Sequence, residues 1–269
     1  MGSDIVVHKP YNEHLKSLID YYYFIDASVE DLQLASELLI PLPRITFRYF
    51  FEYPFEVTNH TINETAIADI VISRISTHKL SIKPLTDRVK ILGAHIKPYA
   101  LAFFTNQNIS KLPWLIKTPD LFEHRAHLFM ETVNACRSSQ EMFDEVERAF
   151  LDTILNKDLS TIIKAVELIE MRNGDIEVAE VSRSVGVSNR TLRNHFYRNV
   201  GCSTKEYIHL SKLKKIVHQM RSSEDMLISI SYSQNYYSQS HFTNSMKNIT
   251  GLSPKEIRKK LPDFRFLQL

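Results

Sequence analysis

Arg190, Arg193 and Asn194 fall within five consecutive positions, with Asn189, Tyr197 and Arg198 beside them. Arg and Asn are the side chains that hydrogen-bond bidentately to guanine and adenine edges, so this set could read bases in a major groove. Fifty residues on, Gln239, Ser240, Thr243, Asn244 and Lys247 form a second polar set with one cation. That set predicts weaker base discrimination, with Lys247, Lys255, Lys259 and Lys260 gripping phosphates. Bond-making chemistry has no comparable set. His8, His14, His60, His78 and His95 are scattered without a His-x-His pair, and there is no Walker A loop, nucleophile elbow or dinucleotide fingerprint. The residues predict no catalytic set, no metal and no cofactor.

Both polar sets sit in an internal repeat, which must be recognised before any fold is assigned. Phe196 to Glu206 recurs as Met246 to Glu256, with Leu192 matching Phe242 and Asn194 matching Asn244. In the first copy Ile176, Val178, Val181 and Val185 are apolar at helical spacing, and Gly186 suits the left-handed end of that helix. Ser188 suits the N-cap of the next helix, whose apolar face is Leu192 and Phe196. Two short helices around a glycine turn make a helix-turn-helix. The second copy runs through Ile228, Ile230 and Tyr232, turns at Asn235, and restarts at Ser238 with Phe242 and Met246 on its core face. Asn tolerates the left-handed conformation better than other non-glycine residues. Between the copies Tyr207, Leu210, Leu213, Val217 and Met220 predict one helix from Glu206 to Arg221, a strut that sets the two readers about one duplex turn, ~34 Å, apart.

At these residues the chain resembles the AraC/XylS family of transcription regulators. The first unit has the family's turn glycine, Ser-x-x-x-Leu-x-x-x-Phe and Gly-x-Ser as Gly186, Ser188, Leu192, Phe196, Gly201 and Ser203. The second has Asn235-Tyr236 for Gly-Phe, then Ser240-His241-Phe242, Gly251-Leu252-Ser253-Pro254 and Arg258. Departures are Asn235 for Gly, Met246 for Phe, and Ser182 and Ser231 for a small Ala. The resemblance implies double-stranded promoter DNA as the partner, read by Ser188, Asn189, Arg190, Arg193, Asn194, Tyr197 and Arg198 in one unit. Ser238, Gln239, Ser240, Thr243, Asn244 and Lys247 do so in the other. It further implies RNA polymerase as a partner and activation as the output.

Charge agrees. Residues 182–262 hold 8 Lys and 6 Arg against 4 acids, a net of +10 in a chain whose formal charge is +2. Clustered cations on a helical module are the footprint of a phosphate-binding surface.

The expected fold class is α+β: a β-rich cupin-like domain with accessory helices, then an all-α DNA-binding domain of two helix-turn-helix units joined by a long helix. The expected divisions are 1–118, 119–157 and 158–269. The first is rich in Val, Ile, Tyr and Phe, with strands expected over 44–51, 66–75 and 89–96. Tyr21-Tyr22-Tyr23-Phe24 reads as a buried strand edge. Gly93, Ile96, Pro98 and Ala100 resemble an element of cupin-like domains in one branch of the family, which implies a sensory or regulatory role. Arg44, Arg48, His95 and Lys97 are the polar candidates around an apolar effector pocket, where they would suit a carboxylate. Residues 119–157 read as a helical hairpin with apolar faces Leu121, Phe122, Leu128, Phe129, Val133 and Met142, Phe143, Val146, Phe150, Ile154. These faces must cover the β-domain or meet a second copy in a homodimer.

The alternative function is a ligand- or metal-binding cupin-like protein whose DNA module is accessory. No apolar run approaches the ~18 residues that span a membrane, and no signal peptide is visible. Met1-Gly2-Ser3 reads as a cloning remnant. Cys136 and Cys202 cannot build a disulfide framework, so the expected compartment is the cytoplasm. Cys202, opposite Leu252 in the repeat, reads as a small core residue.

Overall fold

The computed structural model describes residues 4–75, 77–222 and 225–260; Met1-Gly2-Ser3 lies outside them. Alternating apolar residues make strands up to residue 117, and helical periodicity takes over beyond it. In chain order the strands are β1 (Asp4–His8), β2 (Ile19–Ser28), β3 (Glu37–Leu39), β4 (Ile45–Tyr49) and β5 (Phe55–Asn59). They continue with β6 (Glu64–Ala68), β7 (Ile70–Ser73), β8 (Leu80–Pro84), β9 (Arg88–Ile96) and β10 (Leu115–Lys117). The helices are α1 (Glu13–Lys16), α2 (Leu101–Phe104), α3 (Thr118–Phe122), α4 (His124–Ala135), α5 (Ser139–Leu151) and α6 (Ser160–Met171). The last six are α7 (Val178–Ser184), α8 (Asn189–Asn199), α9 (Thr204–Ser222), α10 (Leu227–Ser233), α11 (Gln239–Thr250) and α12 (Pro254–Lys260). The class is α+β, a β-rich region followed by a helical one.

One sheet has six strands in the order β1-β2-β9-β4-β7-β10, the other four in the order β3-β8-β5-β6. Every pairing is antiparallel. Two expectations need correction. The run 66–75 is not one strand: at Asp69, whose carboxylate accepts the Ile70 N–H, the chain leaves the smaller sheet for the larger. Tyr21 to Phe24 is not an edge either, because β2 is hydrogen-bonded on both sides, to β1 and to β9.

The period of two along a strand divides the larger sheet. Tyr23, Ile25, Val71, Val89 and Ile91 face the smaller sheet. Gly93 permits this packing, since a side chain there would fall inside the ring of Tyr23. Phe47, Tyr49, Ile72, Leu92 and Ala94 point the other way and are covered by α4 and α5. Phe47 stands edge-on to Phe129 at 5.6 Å and to Phe150 at 5.9 Å. The hairpin thus spends its apolar faces on its own sheet, with one exception: Leu128, expected inside, is 60 % exposed. The helix beginning at Pro119 is also split, because Glu123 takes φ 51° and separates α3 from α4.

The apolar core does not stop at either expected division. A single cluster runs from Ile45 and Ile96 in the sheet through Phe150 to Val181, Leu192 and Phe196 in the helical region. The segment after α5 is pinned to α2, where Lys157 Nζ donates to the Ala102 and Thr105 carbonyls at 2.7 and 2.5 Å. At the centre of the junction lies Arg44, its side chain 9 % exposed. Its Nε meets Asp20 at 2.5 Å and its Nη1 meets Glu170 of α6 at 2.5 Å. Lys97 reaches the other Asp20 oxygen at 2.5 Å, and the Tyr207 hydroxyl donates to Glu170 at 2.6 Å. Burial raises the Asp20 and Glu170 carboxyls, but Arg44, with Lys97 and Tyr207, outweighs it and holds both below their ordinary values. Nearby His95 is pushed down to about 3 by burial and by the Arg48 charge.

Removing the guanidinium strands two half-buried carboxylates. Arg44→Ala is expected to cost about 3–5 kcal/mol in chemical denaturation. All three pKa values are depressed in the folded chain, so their contributions are complete above the unfolded values and fade as pH falls. Stability should begin to drop below pH ~6.5, the ordinary histidine value, as the unfolded His95 takes up its proton. It should drop further below pH ~4, the ordinary carboxylate range, as Asp20 and Glu170 of the unfolded chain take up protons before their folded counterparts do. His95→Phe should make the upper part of that profile shallower and leave the lower part unchanged; burial also lowers His78 and His209, which keep the remainder of the upper slope.

Candidate nucleic-acid interface

Helices α8 and α11, which carry the two polar sets, are each built by a turn and a cap. Gly186 ends α7 at φ 71°, and Ser188 caps α8 by accepting the Thr191 N–H at 3.1 Å. Asn235 takes φ 57° in the second unit, as its residue type predicted, and Ser238 accepts the His241 N–H at 3.1 Å to cap α11. Val181, Leu192 and Phe196 are fully buried in the first unit, as are Phe242 and Met246 in the second. The first helix of the second unit differs from expectation: Ile228 and Tyr232 face outward, and Ile230, Ser231 and Gln234 face the core. Tyr236 fills the space, 5.0 Å from the Phe242 ring, with Lys212 Nζ 4.8 Å from its own.

The echo between the copies has a local cause that the sequence pattern contained and the reading missed. Ser203 and Glu206 cap α9 reciprocally, the Ser203 N–H on the carboxylate at 2.7 Å and the Glu206 N–H on the hydroxyl at 3.2 Å. Ser253 and Glu256 do the same before α12 at 2.7 and 3.3 Å. Ser-x-x-Glu before a helix is the capping-box signature. Between them α9 is one helix of 19 residues, with Tyr207, Leu210, Leu213, Val217 and Met220 buried. At ~1.5 Å per residue it spans about 28 Å, close to the ~34 Å of one duplex turn.

Asn189, Arg190, Arg193, Asn194 and Arg198 are exposed on α8, and Gln239, Ser240, Asn244 and Lys247 on α11. Tyr197 and Thr243 are half-buried, and the Arg193 guanidinium lies 5.6 Å from the Tyr197 ring, which steadies it. Ser188 and Ser238 are engaged as caps. Lys255 and Lys259 are exposed near the second unit; the side chain of Lys260 lies outside the described residues. Tyr237, 93 % exposed just before the cap of α11, joins the same surface. Its place one residue ahead of the cap was the available signal.

The polar residues expected around an effector pocket are each engaged with partners within the chain. Arg44 and Lys97 are paired at the junction, Arg48 donates to the Tyr23 hydroxyl and to Thr46, and His95 stacks on Tyr21. A cavity of about 580 Å³ lies instead under α4 and α5. Among the described residues no three His, Cys, Asp or Glu gather as a metal site, and no helix is long and apolar enough to cross a membrane. Cys202 is buried in the core, and burial pushes its thiol well up.

Residues 181–260 match the profile of the helix-turn-helix domain. The chain is 22 % identical over 116 residues to an uncharacterised HTH-type transcriptional regulator of Haemophilus influenzae. That stretch is 43 % of this chain and 38 % of the relative, so the match spans well under half of either. Two solved structures of ToxT from Vibrio cholerae share the fold. One has a TM-score of 0.51 at 12 % identity, covering 96 % of this chain and 98 % of the other. The second, described as bound to a methylnaphthalenyl-butenoic acid, has a TM-score of 0.50 at 13 % identity, covering 96 % and 99 %. The C-terminal region is an AraC-type helix-turn-helix domain.

This AraC-type domain is docked on the β-rich half through both copies of its repeat. Gly201, at φ 94°, lies against Ile109, and its carbonyl accepts from Arg74 at 3.1 Å. Its counterpart Gly251, at φ 78°, lies under the Lys79 side chain. Ile40, just beyond β3, enters the core of the second unit. The exposed polar faces of α8 and α11 are left open. The second unit carries one internal defect: Ser231 is 1 % exposed and its hydroxyl has no hydrogen-bond partner, whereas Ser182 at the matching place donates to the Ala179 carbonyl. Ser231→Ala should therefore raise stability by about 1 kcal/mol in thermal unfolding, and Ser182→Ala should not. A loss at position 231 would contradict the account.

Proposed function

We propose that this chain is a sequence-specific regulator of transcription that binds promoter DNA with α8 and α11 in successive major grooves. The observation that supports this best is the pairing of two capped, outward-facing polar helices on one strut of about a duplex turn. The exposed Arg190, Arg193 and Asn194 read base edges, and the second helix contributes orientation and phosphate contacts. The net charge of residues 182–262 supports the same reading.

In this reading residues 158–269 grip DNA, residues 1–118 sense an effector or hold a second copy of the chain, and residues 119–157 connect the two. Activation through RNA polymerase is the output. A protein of the same fold described with an organic acid bound supports a small-molecule effector. The continuous core and the Arg44 junction supply a route by which a change in the β-rich half reaches α6 and α9.

The test is an operator selected from random-sequence DNA. Loss of one bidentate contact costs about 1–3 kcal/mol and relaxes one base pair. Arg190→Ala and Arg193→Ala are each expected to weaken operator binding by about that amount, with far less effect on unrelated DNA. Equal losses on both DNAs would make these residues phosphate contacts. Scrambling the half-site under α11 should be tolerated better than scrambling the half under α8. Binding by the Lys247→Ala variant should depend less steeply on salt, by about one unit of slope.

A further inference from the structure

We propose that the outer edge of β1 is a dimerisation surface, which pairs with β1 of a second copy of this chain, antiparallel and about a two-fold axis at Val6. β1 ends the six-stranded sheet and is hydrogen-bonded to β2 alone. Among the described residues no backbone bond outside that ladder reaches Asp4 to His8. Such an edge presents a row of unpaired N–H and C=O groups, a template for another strand. Ile5, Val6 and Val7 are 45, 38 and 53 % exposed there, and Tyr11 just beyond is 49 % exposed. Apolar residues exposed singly are ordinary on a surface; a contiguous run of them marks a place of contact.

The other three sheet edges are guarded by the devices that keep edge strands apart. β3 and β10 have three residues each; Pro41 follows the first closely, and Lys117 ends the second with Pro119 behind it. β6 is as long as β1, but it opens with Glu64 and exposes one large apolar side chain, Ile67. β1 holds no lysine, proline or bulge.

The register identifies the occupant. Ile5 and Val7 lie on the face of the smaller sheet, opposite Ile25 and Tyr23, and Val6 lies on the helix side, opposite Phe24. A two-fold axis through Val6, normal to the sheet, keeps each face in its own layer. It sets Ile5 opposite Val7, Val6 opposite Val6, and Asp4 opposite His8. Apolar meets apolar at every inner position, and an acid meets an imidazole at both ends, pairings that stabilise adjacent strands. The smallest slip that preserves the faces is two residues. It would set Val6 opposite Asp4 or opposite His8 and break the match. The strand is complementary to itself in one register.

The hairpin α4–α5, expected to meet a second copy if it did not cover the sheet, spends its apolar faces on the sheet. The β1 edge therefore deepens the reading in which residues 1–118 hold a second copy, and it rests on that reading alone. Two five-residue strands bury less than the ~1,600 Å² of a standard interface, so the dimer is weak, with dissociation in the micromolar range.

Sedimentation velocity of the full chain without DNA, at rising protein concentration, should show a reversible monomer–dimer equilibrium. Val6→Lys sets two ammonium groups opposite each other at the axis. It should weaken the dimer about 10-fold or more, with circular dichroism and melting temperature unchanged. In a Cys136→Ser background, which removes the half-exposed thiol, Val6→Cys should form an intermolecular disulfide on mild oxidation, since directly opposite Cβ atoms lie about 4.5–5.5 Å apart. Ile67→Cys, on the β6 edge, should not. A chain that stays monomeric into the millimolar range overturns the surface. So does a dimer that a folded Val6→Lys chain leaves intact, or disulfide formation by Ile67→Cys as fast as by Val6→Cys. Since DNA is absent, these outcomes leave the assignment of the reading helices standing.

Discussion

One guanidinium holds the two halves of this protein in register. Arg44 stands at the start of β4 and takes a carboxylate from each side, Asp20 from the sheet and Glu170 from α6. Lys97 and Tyr207 complete the arrangement, so β2, β4, β9, α6 and α9 converge on one group of five side chains. Ion pairs of this burial contribute less to net stability than to geometry, because desolvation offsets much of the attraction. Apolar contact alone would let α6 slide on the sheet. The planar fork of Arg44, facing one acid with Nε and another with Nη1, admits few alternative placements.

The readable parts of the sequence were those whose cause is local. Gly186, Asn235 and the serines at 188 and 238 announce turns and caps by residue type, and the structure has each of them in that role. The strut α9 follows from spacing alone. What could not be read depends on distant partners. Nothing near Arg44 in the chain indicates Glu170, 126 positions away. Arg48 and His95 were legible as residues of two strands, but not the second sheet that closes over the face they share. The outward turn of Ile228 and Tyr232 has a similar cause: Tyr236 takes the core space those side chains would otherwise fill.

The two units are unequal in ways that follow from their cores. The first shares its core with the β-rich half and continues into Tyr207 and Leu210. The second has a core of its own, joined from the other half by Ile40 and Leu38. Its turn is an asparagine held in a conformation that glycine adopts more freely, and its inner serine lacks a partner. Internal cost and a less cationic exposed face thus coincide in the same repeat.

Gly201 and Gly251 lie where the repeat meets the other half, and this bears on how portable the DNA-reading module is. Each glycine answers to two masters, a left-handed turn within the repeat and a neighbour pressed against its open side. A different front half joined ahead of α6 would have to bring its own counterparts of Ile109, Arg74 and Lys79. Without them the transplanted module would keep its turns and lose its seat. An exchange of the front half is therefore constrained at two loops, one at each glycine.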